Sequence, residues 1–150
     1  MEAIDKKKFI FGTLFILANK LQTIGDQYLG VDDMTTRQWF LTVMIDQYGD
    51  YAPTLTEVAA LMSSSHQNVK QLALKLEKKG FVSIEKDAKD GRILRLHITP
   101  KCKAFWENRE NKDNQFLGTM FQDIGNDELD VLYDAFNKMI ERVFKIGKDY

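Results

Sequence analysis

The side chains best suited to chemistry lie between Ser63 and Gly80. Val69, Leu72, Ala73 and Leu76 share one side of a helical projection, which leaves His66, Gln67, Asn68, Lys70, Gln71, Leu74 and Lys75 on the open side. Hydrogen-bonding and basic side chains presented together in this way suit base edges and phosphate oxygens. Ser64 and Ser65 precede them, and Ser64 with Gln67 reads as a capping box that opens the helix. A second basic group follows at Asp87-Ala88-Lys89-Asp90-Gly91-Arg92, with Lys86 beside it.

The charge distribution sharpens this picture. The chain holds 21 basic and 22 acidic residues, a net of −1. From Ser64 to Lys103, however, ten basic residues face four acidic ones, a balance of +6, while the remainder holds eleven against eighteen, or −7. A basic middle between acidic ends is expected where one segment meets a polyanion and the others do something else. Catalysis finds little support. There is no G-x-S-x-G, phosphate loop or dinucleotide fingerprint, and two histidines with one cysteine form no usable set with carboxylates. No catalytic residue, cofactor or metal site is therefore expected, and Cys102 alone allows no intrachain disulfide.

Several elements must position the basic residues. Ile10, Leu14, Leu17, Leu21, Ile24 and Tyr28 recur at helical steps, widened by Phe11, Phe15 and Ala18, and Gly30 reads as the stop. So wide a stripe asks for a core or a second subunit. Thr35 with Gln38 opens a second helix, whose buried face is read as Trp39, Phe40, Val43 and Met44. Thr54 with Glu57 opens a third, with Leu55, Val58, Ala59 and Met62 inward. After Gly80, which reads as a C-terminal cap, the period changes to two. Val82 and Ile84, then Leu94, Leu96 and Ile98, predict a hairpin around the Asp90-Gly91 turn signal. Thr99-Pro100 reads as the start of a fifth helix, with Phe105, Trp106, Phe116, Leu117 and Met120 packing and a polar middle exposed. A last helix opens at Asn126-Asp127-Glu128 and carries Leu129, Leu132, Tyr133, Phe136, Met139, Ile140, Val143 and Phe144 as another apolar stripe.

Helix, three-residue turn, helix and basic hairpin make a helix-turn-helix with a wing. An order of parts this specific narrows the field. Met34-Thr35-Thr36-Arg37-Gln38-Trp39, Leu55-Thr56-Glu57-Val58-Ala59, the run from Asn68 to Val82, Asp90-Gly91-Arg92 and Leu96-His97-Ile98-Thr99 together resemble the MarR (multiple antibiotic resistance regulator) family. The resemblance spans nearly the whole chain. It implies a mainly α fold with a small β-hairpin wing, a single domain over 1–150 with its winged helix-turn-helix at 34–99, and helical dimerisation parts at 1–30 and 100–150. It further implies a homodimeric, sequence-specific transcriptional regulator, a repressor bound to a pseudo-palindromic operator in double-stranded DNA and released by a small-molecule effector. No effector-binding residue is indicated. Ser64, Ser65, His66, Gln67, Asn68, Lys70, Gln71 and Lys75 match the recognition helix; Lys89, Asp90 and Arg92 match the wing, where the acid braces the arginine that contacts DNA. Two departures stand out. Cys102 occupies a place where the family often has glycine, and the N-terminal cysteine of peroxide-sensing members is missing.

Plainer readings apply elsewhere. His97 is an exposed strand residue, Lys78 and Lys79 complement a helix dipole, Lys6-Lys7-Lys8 form a solvated helix start, and Cys102 is a small, partly buried side chain. Phe9, Phe11, Phe15, Tyr28, Trp39 and Phe40 read as core. The contending function is a winged helix used for protein contacts, which would leave the basic face idle. The longest apolar run, Leu14 to Ala18, falls far short of the roughly 20 residues that cross a bilayer. Met1 to Lys8 lacks the pattern of a secretory signal, so a cytoplasmic protein without membrane contact is expected.

Overall fold

The computed structural model describes residues 1–149. Six helices and one hairpin follow in order: α1 (Ala3–Gly30), α2 (Thr36–Asp46), α3 (Leu55–Leu61), α4 (His66–Lys79), β1 (Val82–Lys86), β2 (Leu94–Ile98), α5 (Pro100–Met120) and α6 (Asn126–Gly147). The chain forms two compact units, Met1–Phe105 and the part from Trp106 onward. Among the described residues no helix is long and apolar enough to cross a membrane.

The first unit holds a core in which Leu41, Val58, Val69, Ala73, Leu76, Leu96 and Cys102 are fully buried. Reciprocal caps start α2 and α3. Thr35 Oγ1 accepts the Gln38 amide at 3.1 Å while Gln38 Oε1 accepts the Thr35 amide at 3.2 Å. Thr54 and Glu57 repeat the arrangement on α3, both bonds at 3.1 Å. β1 and β2 pair antiparallel from Val82↔Ile98 to Lys86↔Leu94. A bridge between Thr54 and Arg95, and the Leu96 amide donating to the Pro53 carbonyl at 2.9 Å, dock the hairpin on the segment before α3.

Gly80 ends α4 in the left-handed region at φ 83°, and the Phe81 amide reaches back to the Leu76 carbonyl at 2.9 Å. By contrast Gly30 ends α1 without that conformation. Asp33 adopts it instead, at φ 55°, as the short side chain of aspartate tolerates.

Four expectations need correction. The inward face of α2 is Gln38, Leu41, Thr42 and Ile45, with Phe40 exposed and Trp39, Val43 and Met44 half-buried. The two polar members fit because each is bonded: Thr42 Oγ1 donates to the Trp39 carbonyl at 2.6 Å, and Gln38 is in the cap. Secondly, α4 begins one residue later than the Ser64 box implies. Ser63 takes a left-handed φ of 49° and the Ser64 amide closes α3 on the Ala59 carbonyl at 3.0 Å, so the cap passes to Ser65, whose Oγ accepts the Asn68 amide at 3.1 Å. The link is thus the four residues 62–65 and not three. Thirdly, the hairpin loop is the seven residues 87–93, organised by the Asp87 side chain, and Asp90-Gly91 is not a two-residue turn. Finally, the aromatic stripe is not core: Phe9, Phe11 and Phe15 are 69%, 65% and 59% exposed, and Leu117 and Met120 of α5 also face outward.

The α1–α2 crossing is set by Gly25. Thr36 donates its hydroxyl to the Gln22 carbonyl at 3.1 Å and its amide to Asp26 Oδ1 at 2.8 Å, and a Cβ at Gly25 would collide with Thr36 Oγ1. Gly25→Ala is expected to destabilise the protein by about 1–2 kcal/mol and lower its melting temperature by roughly 2–8 °C. Gly12→Ala, with open space around it, should leave the melting temperature unchanged or raise it, so calorimetry on the two variants checks the assignment.

Candidate nucleic-acid interface

On α4 the buried positions Val69, Ala73 and Leu76 are spaced four and three apart, which fixes the helix about its axis. His66, Gln67, Asn68, Gln71, Leu74 and Lys75 are consequently exposed, and Lys70 is half-buried. Ser65 is committed to the helix start through its cap, and Ser64 lies in the turn, not on the helix. Lys75 stands nine residues beyond His66, about 13 Å along the axis.

The wing carries Lys89 and Arg92 on the loop beyond the ladder. Asp87 Oδ2 accepts the amides of Lys89 at 3.1 Å and Asp90 at 3.0 Å. Asp90 in turn holds Arg92 with both oxygens: Oδ1 accepts the Arg92 amide at 3.0 Å and Nε at 3.1 Å, and Oδ2 accepts Nη2 at 3.0 Å. The Arg92 side chain is nevertheless 91% exposed. The guanidinium is oriented yet available.

Helix and wing meet at a cleft of about 330 Å³. Its walls are Thr54 to Thr56, His66 and Lys70 of α4, and Arg92 to Leu94 of the wing. Three of the expected contact residues, His66, Lys70 and Arg92, therefore share one surface. Gln67, Asn68, Gln71, Lys75 and Lys89 do not line this cleft.

Sequence reasoning missed the residues that hold the wing. Arg95 donates Nε to Asp87 Oδ1 at 2.6 Å, and Nη1 to the Ala52 carbonyl at 2.7 Å and the Tyr51 hydroxyl at 3.2 Å. Tyr51 donates to Glu57 Oε1 at 2.8 Å. The Arg95 guanidinium, with the Asp90 and Lys89 amides, holds the Asp87 carboxyl below the usual carboxylate range; the Arg92 side chain and amide do the same for Asp90. Burial pushes the Glu57 carboxyl up, but hydrogen bonds from Tyr51 and Thr54 outweigh it and leave it lowered. An arginine in an alternating strand gives no signal of such partners, because Tyr51 and Ala52 are more than forty residues away in sequence.

Lysines support α4 from behind. Lys79 bonds the Asp33 carbonyl and Gln38 Oε1, so it does more than complement a dipole, and Lys101 donates to the Lys79 carbonyl at 2.6 Å. Among the described residues no group of three or more His, Cys, Asp or Glu side chains is placed to hold a metal ion.

No family model and no curated protein matches the sequence. Solved structures do match. A crystal structure of MarR superposes with a TM-score of 0.81 over 93% of both chains at 17% identity. The transcriptional regulator BldR from Sulfolobus solfataricus gives 0.80 at 21% identity, covering 95% of this chain and 99% of its own. The S. aureus MepR–DNA complex gives 0.73 at 19% identity, covering 88% and 97%. The chain has the MarR fold. Within the MarR fold the hairpin is the wing and α3–α4 the helix-turn-helix, as the order of elements requires.

Cys102 is a buried structural residue in this MarR-type frame. It is fully buried, and burial pushes its thiol up to about 11, the opposite of an activated thiolate. A thiol-reactive disulfide reagent at about pH 8 is expected to leave Cys102 unmodified in the native protein and to titrate one thiol after unfolding. Rapid native-state labelling would contradict this assignment.

Proposed function

We propose that the chain is a MarR-family transcriptional regulator, a sequence-specific homodimer that represses by occupying a pseudo-palindromic operator and leaves it when a small effector binds. One observation carries the reading: His66 and Lys70 of α4 and the braced Arg92 of the wing meet at one cleft. The base-reading assignments go to His66, Gln67, Asn68 and Gln71, with Ser64 and Ser65 in the turn that precedes the helix. Phosphate contacts go to Lys70, Lys75 and Lys89, and Arg92, braced by Asp90, goes to the minor groove. The solved MepR–DNA complex supports DNA as the partner class.

The terminal helices support the dimer. α1 leaves Phe9, Phe11, Phe15 and Ile16 exposed, and α6 has no buried residue although Phe136, Ile140, Val143 and Phe144 recur along it. Apolar surface of this extent is the mark of an interaction site, and a second copy of residues 1–30 and 100–150 would cover it. A two-fold dimer would place two recognition helices about 34 Å apart, one duplex turn. On this reading the protein is a cytoplasmic binding protein and not an enzyme, and it requires no cofactor.

The test titrates purified protein against the DNA upstream of its own gene and a scrambled duplex of equal length, at two salt concentrations. A salt-sensitive preference for the upstream fragment, with one dimer per site, is expected. Asn68→Ala should relax that preference, whereas Lys75→Ala should weaken binding to all sequences and lower the salt slope by about one. Equal losses on both duplexes for both variants would refute this division of roles. No binding at either salt would make the winged helix a protein-contact module.

A further inference from the structure

Beyond the last ladder pair, Lys86↔Leu94, the wing loop has little to hold it. Two backbone bonds cross it, Asp87 N–H to the Ile93 carbonyl at 2.8 Å and Ile93 N–H to the Asp90 carbonyl at 3.0 Å. The root of the hairpin is different: buried Val82 and Leu96 anchor it without help from the loop. The shape of the loop therefore rests on side chains.

Those side chains form one continuous path. It begins at the N-terminus of α3, where Glu57 Oε1 accepts both the Thr54 amide and the Tyr51 hydroxyl. Tyr51 accepts from Arg95, and Arg95 donates across to Asp87. Asp87 holds the Lys89 and Asp90 amides, and Asp90 grips Arg92. The Arg95 guanidinium also lies over the Tyr51 ring, 5.4 Å from its centroid. We infer that Arg95 is a positioning residue for DNA binding: through Asp87 it pre-orders the wing loop that presents Arg92, and through Tyr51 it fixes that loop against the start of α3.

The physical reason is entropic. A loop ordered before binding does not lose that freedom at the interface, whereas a loose one does. Arg95 is suited to the task because its planar fork engages Asp87 with one nitrogen and the Ala52 and Tyr51 oxygens with another, which a lysine ammonium cannot reproduce. The Arg95–Asp87 pair lies mostly out of solvent, its side chains 27% and 14% exposed. Its consequence is orientation.

The inference rests on the DNA-binding reading, and a double-mutant cycle separates the two. Affinity for the same upstream duplex at low salt is measured for the full-length wild type, Arg95→Met, Arg92→Ala and the double variant. Arg95→Met is expected to weaken binding about tenfold, but less than about twofold once Arg92 is already Ala. Tyr51→Phe, which keeps the ring and removes only the hydroxyl link, should cost about two- to threefold with the same dependence on Arg92. In the free protein, amide hydrogen exchange across residues 87–93 should quicken in both variants while α4 is unchanged. Equal losses with and without Arg92, or unaltered affinity in a wild type that binds, would overturn the positioning role alone. A wild type that binds no duplex would overturn the DNA-binding reading, and this inference with it.

Discussion

The rest of the structure depends on the burial of one row of α4. Val69, Ala73 and Leu76 are fully buried, and complete burial of a Val or Leu side chain is worth roughly 1.5–3 kcal/mol. A rotation of one residue, about 100° of arc, would drive Lys70 or Asn68 into that core without partners. The helix has a single acceptable orientation, so its polar face is a consequence of its apolar one. The C-terminal end is held as firmly: Gly80 turns the chain, Thr99 Oγ1 donates to the Gly80 carbonyl at 2.6 Å, and Glu77 Oε2 accepts the Ile84 amide at 2.9 Å.

That last bond ties β1, at the hairpin root, to α4. The tip obeys another logic. None of its seven residues is fully buried, and they are held by carboxylates that accept backbone amides. Individually such exposed contacts contribute little stability. Collectively they choose one loop conformation out of many, which is what a binding element needs.

The terminal helices present the reverse case. α1 and α6 each carry an apolar stripe, yet many of its aromatic and aliphatic side chains remain open to solvent within one chain. In proteins most helical stability comes from tertiary burial of an apolar face and not from propensity. The two halves of the proposed function thus rest on different physics: hydrogen-bonding and charged groups on α4 and the wing, uncovered hydrocarbon on α1 and α6.

Much of this was determined by the sequence alone. Helix starts at Thr35 and Thr54, the stop at Gly80 and the strand alternation from Val82 to Ile98 depend on neighbours within a few residues, and local hydrogen bonding and side-chain period settle them. The open face of α4 was legible for the same reason, since three and four residue steps decide which side chains oppose a buried row. Other features were decided only by tertiary structure. Gln38 and Thr42 displaced Phe40 and Met44 from the inward face of α2 because their polar atoms find bonds there, and no period reveals that. Ser65 replaced Ser64 as the cap because α3 needed Ser64 to close its own end. The partnership of Arg95 with Tyr51 and Asp87 arises where the hairpin docks beside α3, so it exists only once segments more than forty residues apart have met. Local chemistry is written in adjacent residues, whereas the direction in which an arginine or an aromatic ring points is settled by whatever the fold has placed beside it.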